Sequence, residues 1–216
     1  MIILALDTAT PATTVAVIVH DEVRAESTLV DARRHCEILA VSISQVLASC
    51  RLGLSDIEHV VVGVGPGAFT GLRVGLATAR ALGDALTIPV HGLMTLDSLA
   101  FASGLDEPFT VVTDARRREV FWSTYTDRLH RDQGPTVSTP DMVTTAAAGR
   151  PVIGVAATPF AALFSDVRMP DLPAAGAVGQ LAAMRLAAGE NLLPAEPMYL
   201  RRPDTSEPSR RKPVLP

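Results

Sequence analysis

An apolar run that ends in aspartate occurs twice in the chain, and this repeat constrains the fold more than any other feature. Ile2–Asp7 is followed, after a turn that contains Pro11, by the β-branched segment Thr14–Val19. Phe109–Asp114 is followed in the same way by Glu119–Thr126. Short apolar runs bounded by turn residues predict buried strands. We therefore expect two related halves, each beginning with a strand and a return strand.

The segments between and after these pairs alternate between strand and helix patterns. Apolar residues recur at helical spacing through Ala32–Leu52, and Gly53 stands where a helix C-terminus is expected. Gln133–Pro140 is poor in strand signals, so we expect the second half to be incomplete. The other predicted strands are Val23–Leu29, Val60–Val64, Pro89–Leu93 and Pro151–Val155, and the other predicted helices are Leu72–Leu86, a helix through Ser103 capped by Thr95, Pro159–Phe164 and Ala174–Ala188.

A strand that ends in aspartate, a hairpin and later helices, present twice, is the plan of the two-lobed actin-like folds. We therefore predict an α/β protein of the actin-like ATPase (ASKHA, ribonuclease H-like) class with a truncated second lobe. Residues 1–105 are expected to form the N-terminal lobe and residues 106–200 the smaller C-terminal lobe. Residues 201–216 are rich in proline and basic residues, which predicts a flexible tail.

Composition narrows the class of protein. The chain has 216 residues, 48% of them hydrophobic, which is typical of a globular protein. Its first apolar run follows no basic stretch, and no run reaches the roughly 18 residues of a membrane helix, so we expect a cytoplasmic protein. A net charge of −4 argues against binding nucleic acid through the overall field. The basic clusters Arg116–Arg118 and Arg210–Lys212 are expected to be a solvated surface and part of the tail.

The two cysteines and five histidines favour neither a disulfide nor a metal centre. Cys36 and Cys50 lie on one predicted helix, about 21 Å apart, which excludes a disulfide between them. No two histidines are four residues apart, and HExxH is absent. GxSxG is absent as well. The sequence predicts no catalytic residue and no metal ligand.

The glycine-rich segment Gly65–Arg73 follows a predicted strand and opens a predicted helix. Backbone N–H groups at such a position can bind a phosphate, but the segment lacks the Lys-Ser/Thr ending of a Walker loop. The alternative is a tight turn without a ligand. Asp7, Gly65, Gly67 and Asp114 are therefore weak candidates for a nucleotide site, and each aspartate has the alternative of capping its own turn.

Two predicted helices carry features that favour a neighbouring helix or chain. Gly71, Gly75, Ala79 and Gly83 form a row of small residues, which allows close backbone approach by an internal neighbour or by a partner. In the first helix, Ile38 and Val41 lie off the main apolar stripe. The predicted partner interface consists of His35, Ile38, Leu39, Val41, Gly71, Leu72, Gly75, Ala79 and Gly83.

Five segments together resemble the TsaB (YeaZ) family. They are LDTAT (Leu6–Thr10), HCEIL (His35–Leu39), GPGAFTGLRVGLATARAL (Gly65–Leu82), DARRREVF (Asp114–Phe121) and PMYLR (Pro197–Arg201). They span nearly the whole chain in the order that the family has. Two departures occur in the first helix, where Cys36 replaces the usual serine and the family's common proline is absent around Ala40–Ile43.

The resemblance implies a non-catalytic scaffold or activator in the threonylcarbamoylation (t6A) of the adenosine next to the anticodon of certain tRNAs. It implies TsaD as the heterodimer partner, the ATPase TsaE in the assembled complex, a homodimer when the chain is alone, and only indirect contact with tRNA. It implies no cofactor of its own, with ATP or ADP at the complex interface as the one exception. TsaD has a metal-binding HxxxH at the position where His91 is here followed by Thr95.

Two other functions remain open from the residues alone. The first is an ATP-dependent small-molecule kinase or hydrolase that acts alone through Asp7, Gly65–Thr70 and Asp114. The second is a self-contained homodimer that uses the same two helices.

Overall fold

The computed structural model describes residues 1–147, 149–155 and 158–201 and contains two five-stranded sheets. The strands of the first sheet are β1 (Ile2–Asp7), β2 (Ala12–Val19), β3 (Glu22–Val30), β4 (His59–Gly63) and β5 (Val90–Leu93). Their order in the sheet is β3-β2-β1-β4-β5. The pairs β1–β2 and β2–β3 are antiparallel, whereas β1–β4 and β4–β5 are parallel.

The second sheet has the same plan, which confirms the predicted repeat. Its strands are β6 (Phe109–Asp114), β7 (Val120–Asp127), β8 (His130–Ser138), β9 (Val152–Ile153) and β10 (Val167–Arg168). Their order is β8-β7-β6-β9-β10, again with two antiparallel and two parallel pairs. The strands β9 and β10 have only two residues each, as expected of a truncated lobe.

Strand β8 corrects the prediction that Gln133–Pro140 is too poor in strand signals to complete the second half. It is an edge strand, and most of its residues are exposed. An exposed edge strand needs no apolar alternation, because its backbone pairing with β7 holds it in place.

The helices differ from the predicted ones mainly at their ends. The helices are α1 (His35–Ser49), α2 (Phe69–Leu86), α3 (Thr95–Ser103), α4 (Pro140–Ala147) and α5 (Ala175–Ala187), and the sequence did not predict α4. Thr95 is the first residue of α3 and makes no capping hydrogen bond, since Met94 occupies the cap position. The predicted helix Pro159–Phe164 is one 3-10 turn, Ala161–Leu163.

Helices cover both faces of the first sheet. Side chains such as Leu6 and Val62 pack with those of α1 and α2, whereas Ala5 and Val61 pack with those of α5. Burial of each large apolar side chain contributes about 1.5–3 kcal/mol to stability. Helix α5 belongs to the predicted second lobe, but it packs on the first sheet and completes its core. The boundary at residue 105 therefore separates the two sheets, but the first core also includes residues from beyond it.

Two further expectations concern chemistry and the chain end. Cys36 and Cys50 are both free, as predicted. No helix in the described residues is long and apolar enough to cross a membrane. Of the predicted tail, residues 202–216 lie outside the described residues.

Candidate functional site

The carboxylate of Asp7 is fully buried at the C-terminal end of β1. Its Oδ1 accepts a hydrogen bond from the Ala9 backbone N–H at 2.7 Å, and its Oδ2 accepts one from the Thr95 hydroxyl at 2.7 Å. Burial raises the pKa of Asp7 from 3.8 to about 6, and the two hydrogen bonds oppose that shift. Both oxygens are therefore engaged with groups of the same chain.

The glycine-rich loop is fastened to the turn that follows β1. The Gly65 N–H donates to the Thr95 hydroxyl at 3.2 Å, and the Ala68 N–H donates to the Ala9 carbonyl at 3.0 Å. A Cβ at Gly67 would overlap the Ala9 backbone, which explains the need for glycine at that close approach. The geometry is that of a tight turn in which the N–H groups of Gly65 and Ala68 point at the protein itself.

These residues do not fit a metal-bound nucleotide phosphate. Asp7 is occupied as described, and Asp114 is exposed with its Oδ1 accepting a hydrogen bond from the Arg116 N–H at 2.8 Å. Across residues 1–147, 149–155 and 158–201 there is no group of three or more His, Cys, Asp or Glu side chains that could hold a metal ion. Asp7, Gly65 and Asp114 make hydrogen bonds within the chain, and Gly67 lies against the Ala9 backbone. Their role in nucleotide binding stays a prediction.

The row of small residues on α2 faces the interior of its own chain. The Thr8 hydroxyl donates to the Gly71 carbonyl at 2.7 Å and accepts a hydrogen bond from the Gly75 N–H at 3.1 Å. A Cβ at Gly75 would lie 2.5 Å from that hydroxyl oxygen, and one at Gly83 would overlap Val90. In the structure the small residues of α2 are approached closely by parts of the same chain. These neighbours are a turn and a strand, not a helix.

Most side chains of the predicted interface lie inside the chain, and the interface itself stays a prediction. Ile38 is half-buried and Val41 is 55% exposed. Burial lowers the pKa of His35, whose Nδ1 lies 2.7 Å from the Thr13 hydroxyl oxygen. The buried members are His35, Leu39, Gly71, Leu72, Gly75, Ala79 and Gly83.

The outward surface of α1 and α2 is made largely of small and apolar side chains. A groove of about 460 Å³ between the helices is lined by residues that include Cys36, Val74 and Ala77. A second depression of about 410 Å³ follows α1. We call this surface the α1–α2 face and define it by Cys36, Ala40, Val41, Ser44 and Ala48 of α1 and Thr70, Arg73, Val74, Ala77 and Ala81 of α2.

The segment Pro197–Arg201 joins the two lobes. The Met198 N–H donates to the Val64 carbonyl at 2.8 Å. The Tyr199 ring stacks on Phe69 with centroids 5.1 Å apart, and its hydroxyl accepts a hydrogen bond from Arg73 Nε at 3.2 Å. Sequence reasoning used this segment only for the resemblance, because its residues have no periodicity that would predict these contacts.

Arg201 extends this connection to the second sheet. Its guanidinium donates to the Ala115 carbonyl at 3.3 Å and forms an ion pair with Glu119. Both partners lie in the turn that joins β6 and β7. The segment therefore fixes that turn relative to the start of α2.

A cavity of about 440 Å³ lies between the lobes at this connection. The start of α2, the turn after β6, the buried ring of Phe121 and the segment described above form its walls. We call it the interlobe cavity and define it by Gly67, Ala68, Phe69, Ala115, Arg116, Arg117, Phe121, Tyr199, Leu200 and Arg201.

One histidine pair also escaped the sequence reasoning. His59 Nδ1 and His91 Nε2 lie 3.1 Å apart on the adjacent strands β4 and β5. Burial lowers the pKa of both imidazoles. The two residues are 32 positions apart, and only the parallel pairing of their strands brings them together.

Two sheets with the same strand order, joined by an interlobe connection, define a two-lobed α/β protein of the actin-like class. A sequence profile of the family described as "TsaD: tRNA N6-adenosine threonylcarbamoyltransferase" matches residues 22–189. An uncharacterized protein of Mycobacterium tuberculosis (strain ATCC 25618 / H37Rv) is 43% identical over 206 residues, which cover 94% of this chain and 92% of that protein. The chain belongs to the TsaD family.

The resemblance to TsaB is confirmed by relatives that carry this name. The tRNA threonylcarbamoyladenosine biosynthesis protein TsaB of Escherichia coli (strain K12) is 35% identical over 128 residues, which cover 58% of this chain and 55% of that protein. A solved structure of YeaZ from Pseudomonas aeruginosa superposes with a TM-score of 0.79 at 27% identity, covering 92% of this chain and 99% of that chain.

Proposed function

We propose that the chain is a cytoplasmic, non-catalytic subunit of the machinery that makes threonylcarbamoyladenosine in tRNA. In this proposal it binds a TsaD-type catalytic subunit through the α1–α2 face, and the TsaE-type ATPase acts on the assembled complex. The observation that carries the proposal is the outward surface of small and apolar side chains on α1 and α2. The candidate nucleotide-site residues of the chain make their contacts within the chain.

The shape of the α1–α2 face supports a helix as its partner. Ala40, Ser44 and Ala48 follow one another at four-residue spacing along α1, and Ala77 and Ala81 do so on α2. Small side chains at this spacing allow another helix to approach closely. Val41 and the groove beside Val74 supply apolar surface to bury. Such burial must exceed association costs of about 4–15 kcal/mol, so the interface must be larger than these few residues.

The internal contacts of Thr95 support a non-catalytic role. This residue stands where TsaD has the second histidine of its HxxxH motif. Its hydroxyl is buried and joins Asp7 to the Gly65 N–H. In this proposal the transfer chemistry therefore belongs to the partner subunit.

Substitution of Ala77 by Glu tests the docking surface. Ala77 is exposed and lines the interhelix groove, and glutamate is nearly as good a helix former as alanine. The variant should fold normally but bury an unpaired charge on binding, which weakens association at least tenfold, or about 1.4 kcal/mol. Ala187→Glu is the matched control, because Ala187 is exposed at the end of α5.

The assay is threonylcarbamoyl transfer to unmodified tRNA by the TsaD-type subunit, TsaE and the adenylate-forming synthase, with and without this chain. We expect transfer only when the chain is present, a loss with Ala77→Glu and normal transfer with Ala187→Glu. Light scattering of the chain alone and with the TsaD-type subunit separates a homodimer from a heterodimer. Transfer that does not depend on the chain, or ATP turnover by the chain alone that is lost in Asp7→Ala, would contradict the proposal.

A further inference from the structure

The interlobe cavity combines aromatic rings with arginines, and none of the described residues that line it is acidic. Its rings are Phe69, Phe121 and Tyr199, and its basic residues are Arg116, Arg117 and Arg201. Binding cavities for small ligands range from about 300 to 1,000 Å³, so about 440 Å³ accommodates one nucleotide unit. We propose that this cavity and the adjoining arginine turn bind one unstacked nucleotide of a single-stranded RNA segment.

The turn that carries the arginines has an unusual backbone. Arg116, Arg117 and Arg118 have φ values of 64°, 55° and 63°, so three consecutive non-glycine residues occupy the left-handed region. This conformation is unfavourable for residues with a Cβ, and such strain is concentrated at functional sites. The hydrogen bonds from Ala115 N–H to the Glu119 carbonyl and from Glu119 N–H to the Arg116 carbonyl hold it in place. It carries Arg116 and Arg117, which both line the cavity.

The rings give a surface on which a base can stack. Tyr199 is 39% exposed and is already stacked on Phe69, whose ring lies 3.7 Å from the Arg73 guanidinium carbon. Stacking on aromatic rings and arginine planes is the principal way in which proteins bind unpaired bases. It requires no particular base, because every base has a π face.

The charges favour RNA over a metal-bound nucleotide. Within the described part of the chain no carboxylate lines the cavity. The two carboxylates nearest in sequence to the arginine turn have other contacts. Asp114 accepts a hydrogen bond from the Arg116 N–H, and Glu119 forms an ion pair with Arg201. Arg116 and Arg117 are adjacent in sequence and can contact successive phosphates of a strand. With a net charge of −4, binding must depend on this local group of arginines.

The test uses the isolated full-length chain, so its result does not depend on the proposed partner. Fluorescence anisotropy with a labelled hexaadenylate RNA measures affinity at several salt concentrations, and AMP serves as the competitor. The double variant Arg116→Gln/Arg117→Gln removes two charges from the cavity. The matched control is Arg24→Gln/Arg150→Gln, which removes the same charge from two exposed arginines that do not line the cavity.

We expect saturable binding of the RNA, at least tenfold weaker binding by the cavity variant, and unchanged binding by the control. Each phosphate contact on a single strand contributes a slope of about −0.7 to the dependence of log K on log salt, so the cavity variant should reduce the slope by about 1.4. Tyr199→Leu should weaken binding about tenfold without that change in slope, since it removes stacking and no charge.

Three results would overturn the inference. The first is no saturable binding. The second is equal affinity of the cavity variant and wild type, which would mean that the RNA binds elsewhere on the chain. The third is binding of AMP as tight as that of the RNA, which would assign the cavity to a free nucleotide.

Discussion

Ionisation of the buried Asp7 carboxylate should contribute a loss of stability between mild acid and neutral pH. A pKa of about 6, against an ordinary value of 3.8, means that the folded state holds a proton in a pH range where the unfolded chain has lost it. Stability therefore falls as pH rises between these two values, and the total cost at neutral pH is about 3 kcal/mol. Asp7→Asn removes the titration and keeps the shape of the side chain.

The substitution also has a cost that does not depend on pH. In the variant, the side-chain amide oxygen can still accept the hydrogen bond from the Ala9 N–H. The amide nitrogen would then face the Thr95 hydroxyl. This hydroxyl donates to a carboxylate oxygen in the wild type and cannot donate to an amide nitrogen. A lost hydrogen bond of this kind costs about 1 kcal/mol. The net gain at pH 7.5 is therefore about 2 kcal/mol.

The difference between two pH values isolates the titration, because every other ionisable group is common to both proteins. From the two pKa values, the penalty on wild type is about 2 kcal/mol at pH 5.0 and about 3 kcal/mol at pH 7.5. Urea unfolding followed by the fluorescence of Trp122 measures both. We expect the advantage of Asp7→Asn to be larger by about 1 kcal/mol at pH 7.5, and an equal advantage at both pH values would refute the reasoning.

Two further predictions concern close packing and histidine titration. Gly75→Ala places a methyl group 2.5 Å from the Thr8 hydroxyl oxygen and should lower the free energy of unfolding by about 2 kcal/mol. Gly53→Ala is the control, because its added Cβ would have no neighbour nearer than 3.6 Å. It should change the free energy of unfolding by less than about 0.5 kcal/mol. Comparable urea midpoints for the two variants would contradict this packing. Burial lowers the pKa of His59 and His91 in the folded protein. As pH falls below about 6.5, these histidines become protonated in the unfolded chain while they are still neutral in the folded protein, so stability is lost. His91→Gln should flatten that loss in thermal unfolding, and an unchanged pH profile would count against it.

Strands with a buried apolar face were predictable from the sequence, whereas exposed or short ones were not. The strand Phe109–Asp114 has the predicted bounds, because its apolar run coincides with its burial. Strand β8 is exposed along most of its length, and β10 has two residues, so neither leaves a periodic pattern. Their positions follow from pairing with β7 and β9, which are distant interactions that local periodicity does not encode.

The candidate interface shows a different limit of sequence reasoning. Glycines at four-residue spacing predict that something approaches the helix closely, but the spacing is the same for any neighbour. Here the neighbour is Thr8, whose hydroxyl stands between the Gly75 N–H and the Gly71 carbonyl. A threonine in a turn 63 residues from Gly71 gives no local signal of that contact. The opposite side of α2 carries Ala77 and Ala81. Alanine favours a helix at any helical position, so these residues did not predict a docking surface.

Residues of the kind that would bind phosphate in an enzyme of this class make hydrogen bonds within the chain here. Asp7, Thr95 and Gly65 join β1, α3 and the glycine-rich loop through buried hydrogen bonds. The α1–α2 face and the interlobe cavity lie on opposite sides of one residue, Phe69, which lines both the interhelix groove and the cavity. Its ring contacts Tyr199 on one of these sites and Arg73 on the other. Phe69 therefore connects the two proposed sites. We expect occupation of one to change affinity at the other, and any such coupling acts by the same factor in both directions.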